Sequence, residues 1–450
     1  MFEGEKPFGW AYFHEKARGD LLFIMDDSWD VPLDGNTDYY GSLILNEEKY
    51  PTYTNGKTNT EALKMLTEKM ISLGWKGLGG WVCAQEPAFC NVTPEEYWKE
   101  RIKEANDSGF AYWKVDWGKK DRSDPEFRKM LTQLARKYAP GLTIEHSFIK
   151  DIIPYSDVFR TYDVPAIMSI PMTMEKLANY TDVPAPVGEN KGLIDCEDEA
   201  YIAAAGGFAM GIMRHPYVGD LPNGKADPSF PEIHRNLKTK MYEVIRAARF
   251  HRIAPAFAVV GENTRVSDIK LSDTWQFEKI EEEIEGWWLQ NMSSIKNYIS
   301  DEQLLTKKAP AAISRNTELP EIEPDISGNI PYCVVSKNPN GVFGIATLGR
   351  TMERDYFIPK CKVTIDIGNS KTIGIFGEYR ELNLKNSFKN ISRILMQDLA
   401  DDTAYDITEA VNIGNGEISI PGDIISKIGR ISQPKDDTSE PGALIKIESN

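Results

Sequence analysis

The strongest constraint on this chain is a rhythm: up to about residue 260, short apolar runs alternate with longer stretches of helical periodicity. Strand then helix, repeated, predicts a parallel sheet covered by helices. We read strands over residues 8–13, 21–25, 77–82, 111–115, 142–145, 157–160, 193–194 and 209–213. Helical spacing fills intervals at 60–73, 94–108, 124–138, 197–207 and 236–250, the first with Leu63, Leu66, Met70 and Leu73 on one face. Eight strands in roughly 250 residues match the size of a (β/α)8 TIM barrel.

After the barrel the texture changes. Proline and polar residues gather over 307–331, and the alternating runs 363–367, 372–376 and 417–421 follow, separated by Asn-Gly turns. The expectation is a catalytic barrel over 1–310, a linker over 311–330 and a small C-terminal antiparallel β-sandwich domain over 331–450. The acidic run 281–285, in a stretch that also holds Trp275, Trp287 and Trp288, reads as solvated surface.

Composition narrows the partners. With 41% hydrophobic and 27% charged residues the chain is ordinary globular material, which argues against disorder, collagen and coiled coil. Fifty-two basic against 68 acidic residues give a net charge of −16, a sign that repels phosphate backbones and anionic membranes. Five scattered cysteines form no CxxC pair and no disulfide framework. The first apolar run, 21–25, is followed at once by Asp26 and Asp27, so it is neither a signal peptide core nor a membrane span. A periplasmic or secreted location requires that a leader was removed. Homo-oligomerisation stays open.

The C-terminal ends of barrel strands face the active site, and here they are repeatedly polar. Residues 21–25 lead into Asp26, Asp27 and Trp29; 111–115 contain Lys114 and lead into Asp116 and Trp117; 142–145 end in Glu145; 157–160 end in Arg160, with Asp163 beyond. One such aspartate is ordinarily a turn former or helix cap. Recurrence at four strand ends points to a pocket. Retaining glycoside hydrolysis needs one carboxylate to attack the anomeric carbon and one protonated carboxyl to donate to the leaving oxygen. Period-two alternation places Lys114 and Asp116 on one face, where the ammonium balances the carboxylate, so Asp116 reads as nucleophile. Asp163, between Tyr162 and Val164, reads as acid/base. Trp29, Trp81 and Trp117 are either sugar-stacking faces or barrel core. No pair of the five histidines has metal-ligand spacing, and acids 195–199 read as the charged opening of a helix. No dinucleotide, P-loop or GxSxG motif occurs, so no cofactor is expected. The glycines of 74–80 read as close packing inside a barrel strand.

In order, Pro7-Phe-Gly-Trp10, Met25-Asp-Asp-Ser-Trp29, Lys49-Tyr-Pro51, Tyr112-Trp-Lys-Val-Asp-Trp117 and Phe159-Arg-Thr-Tyr-Asp163 resemble the strand motifs of glycoside hydrolase clan D, the α-galactosidase-like families 27 and 36. The resemblance spans roughly residues 7 to 260. It implies a retaining exo-α-glycosidase acting on an oligosaccharide or glycoside. Asp116 would be the nucleophile and Asp163 the acid/base. Asp26, Asp27, Lys114 and Arg160 would bind hydroxyls, and Trp29 and Glu145 would line the pocket. Asp157 is an alternative acid/base, or a cap. Other clan specificities, α-N-acetylgalactosaminidase, β-L-arabinopyranosidase or α-glucan-active, remain alternatives, as does a catalytically silent carbohydrate-binding barrel.

Overall fold

The computed structural model describes residues 10–120, 124–161, 168–212, 240–276, 304–353, 355–414 and 416–449. Seven strands form one parallel sheet in chain order: β1 (Leu22–Met25), β2 (Gly77–Val82), β3 (Tyr112–Val115), β4 (Thr143–His146), β5 (Val158–Arg160), β6 (Leu193–Glu197) and β7 (Ala209–Gly211). Helices intervene: α1 (Pro51–Thr54), α2 (Asn59–Ser72), α3 (Pro94–Ser108), α4 (Pro125–Tyr138), α5 (Ser169–Ala178), α6 (Ala200–Gly206) and α7 (Met241–His251). This is a TIM-barrel-like α/β sheet followed by β structure. The opening run read as a strand differs: Trp10–Tyr12 is a 3-10 turn, and residues 8 and 9 lie outside the described residues.

Local chemistry sets the elements. Thr58 and Glu61 cap α2 reciprocally, Thr93 and Glu96 do the same for α3, and Asp124 accepts from the Phe127 N–H at 2.9 Å to open α4. Gly109, in the left-handed region, ends α3. β2 is wholly buried, and its glycines have a steric reason. A Cβ on Gly79 would stand 2.6 Å from the Tyr112 Cβ and 2.7 Å from the Ile24 Cδ1. One on Gly80 would stand 2.9 Å from Phe110 and 3.1 Å from Trp29. Missing side chains on β2 therefore let large neighbours approach the strand.

Contacts divide the chain into two units, Met1–Arg160 with Val183–Ile194, and Thr161–Asp182 with Asp195–Asn450, so the boundary runs through β6. In the first unit an apolar core runs from Met25 and Trp29 through Leu66, Trp98 and Trp113 to Ile144. In the second, an eight-stranded and a five-stranded sheet contribute to another core that includes Val335, Ile345, Ile375, Leu382, Ile420 and Ile445.

Three details of this β structure differ from the expectation. Its sheets are mixed, since Phe343–Leu348 pairs in parallel with Thr372–Phe376 and Lys362–Gly368 with Glu381–Asn386. Its eight-stranded sheet starts at Thr264–Val266, and Ala312–Arg315 and Glu321–Glu323 are strands within the stretch read as linker. Turn-forming residues around those short strands masked their pairing. Thirdly, α6 and α7 pack directly on the sheets. Ser336 Oγ donates to the Ala205 carbonyl at 2.6 Å, and a Cβ on Gly374 would fall 2.4 Å from Phe250. Arg246 forks onto Asp398 at 2.8 and 3.1 Å, both side chains fully buried. Lys240 meets Glu440 at 2.8 Å.

The acids of 195–199 were read as a helix opening. Asp195, Cys196 and Glu197 instead complete β6, and α6 begins only at Ala200. Residues 236–239, the acidic run 281–285, Trp287 and Trp288 lie outside the described residues. Among the described residues no helix is long and apolar enough to cross a membrane.

Candidate active site

The parallel register aligns Trp81, Lys114 and Glu145 across β2, β3 and β4, with Gly79, Tyr112 and Thr143 two residues earlier. Residues paired in register, or two apart, share a sheet face. Tyr112 therefore lies beside Glu145 and donates its hydroxyl proton to Oε2 at 2.6 Å. Lys114, 5% exposed, extends to Asp26 at the end of β1, with Nζ 3.1 and 3.0 Å from the two carboxylate oxygens. Burial raises the Asp26 carboxyl, but the Lys114 ammonium and, farther off, Arg160 outweigh it, so the group lies below the ordinary carboxylate range.

Asp116 follows β3 directly. Its Oδ2 accepts from the Trp81 indole N–H at 2.9 Å, and its Oδ1 faces Arg160 NH2 at 3.0 Å, without an aligned hydrogen bond among the described residues. Arg160, the last residue of β5 and 1% exposed, also brings its Nε within 3.6 Å of Glu145 Oε1. The cation seated against Asp116 is thus Arg160, while Lys114, read from sequence as its partner, reaches Asp26. From behind, the buried Arg128 of α4 donates to the carbonyls of Val115 at 3.2 Å and Asp116 at 2.9 Å. His146 sits next to Arg128 with Nδ1 at 3.5 Å and Nε2 2.8 Å from the Thr132 hydroxyl. Burial, then the Arg128 charge, hold its pKa well below the usual histidine value, so the ring is neutral.

The turn after β1 is strained and braced. Ser28 has φ of 67°, an uncommon conformation for a residue with a side chain. Lys49 donates to its carbonyl at 2.6 Å, and its own hydroxyl donates to Asp27 Oδ1 at 2.8 Å. Loss of solvent raises the Asp27 carboxyl, the Ser28 hydrogen bond opposes this, and the charges of Asp26 and Asp116 add to the rise. Asp30, 1% exposed, accepts from the Leu43 N–H at 3.1 Å through Oδ2, and its Oδ1 accepts no hydrogen bond among the described residues. Burial pushes its carboxyl up to about 6.

The tryptophans separate by burial. Trp29 and Trp81 are 3% and 1% exposed, and their indole N–H groups are committed, Trp29 to the Trp81 carbonyl at 2.8 Å and Trp81 to Asp116. Trp117 is only half-buried, its ring 5.0 Å from Tyr40 and 5.3 Å from Trp81. Asp157 is fully buried, paired with Arg136 and accepting the N–H of Ile144 in β4 at 3.0 Å, so it ties the start of β5 to the neighbouring strand and caps no helix. Asp163 lies outside the described residues.

The structure therefore brings Asp26, Lys114, Trp81, Asp116, Arg160 and Glu145 into one network of contacts at the C-terminal ends of β1 to β5. Sequence reading gives no site role to Tyr40 or Arg128, nor to Lys49 and Tyr112, which it names only as members of motifs. Tyr112 was discoverable, because it precedes Lys114 by two residues and so shares its face; Arg128 was not, since nothing in a helix marks one arginine as turned inward. Among the described residues no cluster of His, Cys, Asp or Glu side chains is disposed to hold a metal ion.

No family model and no curated protein matches this chain. Solved structures that align with it include a Bacteroides fragilis NCTC 9343 protein provisionally named an alpha-galactosidase, with 10% identity over 67% of this chain and 74% of the other at a TM-score of 0.34. The alpha-galactosidase of Saccharomyces cerevisiae, solved with raffinose, aligns at 9% identity over 97% and 95%, TM-score 0.36. A GH51 arabinofuranosidase from Xanthomonas axonopodis pv. citri aligns at 9% over 96% and 88%, TM-score 0.32.

Proposed function

We propose that this protein is a retaining exo-acting α-glycosidase, α-galactosidase-like in substrate. The observation that carries the reading is the setting of Asp116: a carboxylate at a barrel strand end, one oxygen fixed by the Trp81 N–H and the other facing Arg160 without an aligned hydrogen bond. Such an oxygen is held in place yet keeps a lone pair for attack on an anomeric carbon. The ordered likeness of the strand motifs to clan D supports the same assignment.

In this mechanism Asp116 attacks the anomeric carbon, the bond to the leaving oxygen breaks, and Asp163 supplies that oxygen with a proton. Asp163 then takes a proton from water, whose oxygen attacks the anomeric carbon and releases Asp116. Asp26, Asp27 and Lys114 hold sugar hydroxyls, Arg160 reaches the hydroxyl next to the reacting carbon, and Glu145 fixes Arg160. Trp81 acts as a donor that orients Asp116 and Trp29 as its brace, which leaves Trp117 as the stacking face.

Asp116→Asn tests the reading. Turnover of nitrophenyl α-glycosides should fall by at least about 1,000-fold with the thermal midpoint retained, a loss in the range expected when a covalent nucleophile is removed. Activity like that of the wild type would overturn it. NMR of the first-formed product should show retained α configuration, and a panel of nitrophenyl glycosides separates galactose from the other sugars of the clan.

A further inference from the structure

Two loops rise from the same end of the sheet as Asp116, one after β1 and one after β2, and they are locked together. Gly41 has φ of +81°, and a Cβ there would fall 1.8 Å from the Gln85 carbonyl oxygen. Only a glycine allows that approach. The Ala88 N–H donates to the Asp38 carbonyl at 2.8 Å, and the Tyr97 hydroxyl reaches the carbonyls of Gly41 at 2.8 Å and Ser42 at 3.0 Å. These loops are therefore fixed relative to one another.

On this rigid support stand two aromatic pairs, one between the two loops and one between the loop after β1 and Trp117, which follows β3. The inner one is Tyr40 against Trp117, 5.0 Å between rings, directly beside Asp116 in sequence. The outer one is Tyr39 against Phe89, 5.3 Å apart at 67°. Tyr39 and Tyr40 are consecutive, so one peptide joins the outer pair to the inner. Phe89 is 53% exposed. A lone exposed phenylalanine is ordinary. One that is edge-packed on a tyrosine, carried by pinned loops and continuous with a site is a preformed face, and aromatic faces of this kind suit the C–H face of a pyranose ring.

We propose that Tyr39 and Phe89 form a platform for a second sugar ring outside the catalytic pocket, so that the substrate class is an oligosaccharide rather than a glycoside with a small leaving group. The inference rests on the glycosidase reading above and specifies its substrate. Phe89→Ala is the informative variant, because the ring is more than half exposed and its loss leaves no buried cavity. We compare an α-galactosyl trisaccharide with α-galactosyl fluoride, which carries no ring on its leaving side. The ratio of kcat/KM for trisaccharide over fluoride should fall about 3- to 10-fold in Phe89→Ala, mainly through KM, and Phe89→Trp should restore it; this corresponds to the worth of one aromatic contact. An unchanged ratio overturns the platform. If the wild type hydrolyses neither compound, the glycosidase reading falls instead, and titration calorimetry with the trisaccharide decides the platform. Binding weakened by Phe89→Ala upholds it; no binding, or equal binding, removes it.

Discussion

Asp30→Asn should abolish a loss of stability that the wild type suffers as pH rises from about 4 to above 6. The Asp30 carboxyl is buried, one oxygen accepting the Leu43 N–H and the other without a hydrogen bond among the described residues, and burial pushes it up to about 6 from an ordinary value of 3.8. A folded-state value above the unfolded one means that the folded chain binds this proton more tightly. The associated stability is complete below about pH 4 and is lost as pH rises through 6. A difference of about two pH units at ~1.4 kcal/mol each gives a total near 3 kcal/mol, as an order of magnitude. Asparagine keeps the acceptor for Leu43 and never ionises. Urea unfolding followed by tryptophan fluorescence at pH 4, 6 and 8 should show the variant and the wild type alike at pH 4. By pH 8 the variant should be ahead by up to about 3 kcal/mol. Parallel curves at all three values would show that Asp30 is not a buried charge, and the account of the turn after β1 would fail with it.

Lys114→Met removes the ammonium that holds the Asp26 carboxyl low. Turnover should fall about 10- to 100-fold, the cost of losing charge-assisted hydrogen bonds, and a rise in the Asp26 value should move the acid limb of the pH–rate profile upward. An unmoved limb would exclude that coupling. Asp398→Ala strands the fully buried Arg246. It should cost about 3–5 kcal/mol in the unit that contains it, with a smaller loss for Asp398→Asn, both read from denaturant midpoints.

The fold was legible because burial writes periodicity into the chain. β2 was read with its observed bounds, since six consecutive buried residues between helix signals leave few alternatives, and α3 was read with its observed bounds from Pro94 to its left-handed glycine. Legibility failed where periodicity is short. The opening run, 8–13, holds four aromatic residues in six, a stretch too short for its period to tell a strand from a 3-10 turn. α5 was missed because Pro171 sits in its first turn and breaks the pattern. At the site, the residues Asp26, Lys114, Asp116, Glu145 and Arg160 could be listed from strand ends, but not who meets whom. Pairing depends on side-chain length and strand twist, and so Arg160 rather than Lys114 came to lie against Asp116. For Trp29 and Trp81, sequence left core and stacking roles open, and burial distinguishes them.

The way α6 and α7 share their packing with the β sheets has a practical meaning for anyone dissecting this protein. Arg246 finds its counter-charge at Asp398, Lys240 at Glu440, and the Ala205 carbonyl its donor at Ser336. A truncation near residue 310 would expose those helices and strip the charged side chains of their partners, so the shortened chain should aggregate rather than fold by itself. The appended sheets are a wall of the barrel's own second half, and exchanging them between relatives would succeed only if the helices travelled with them.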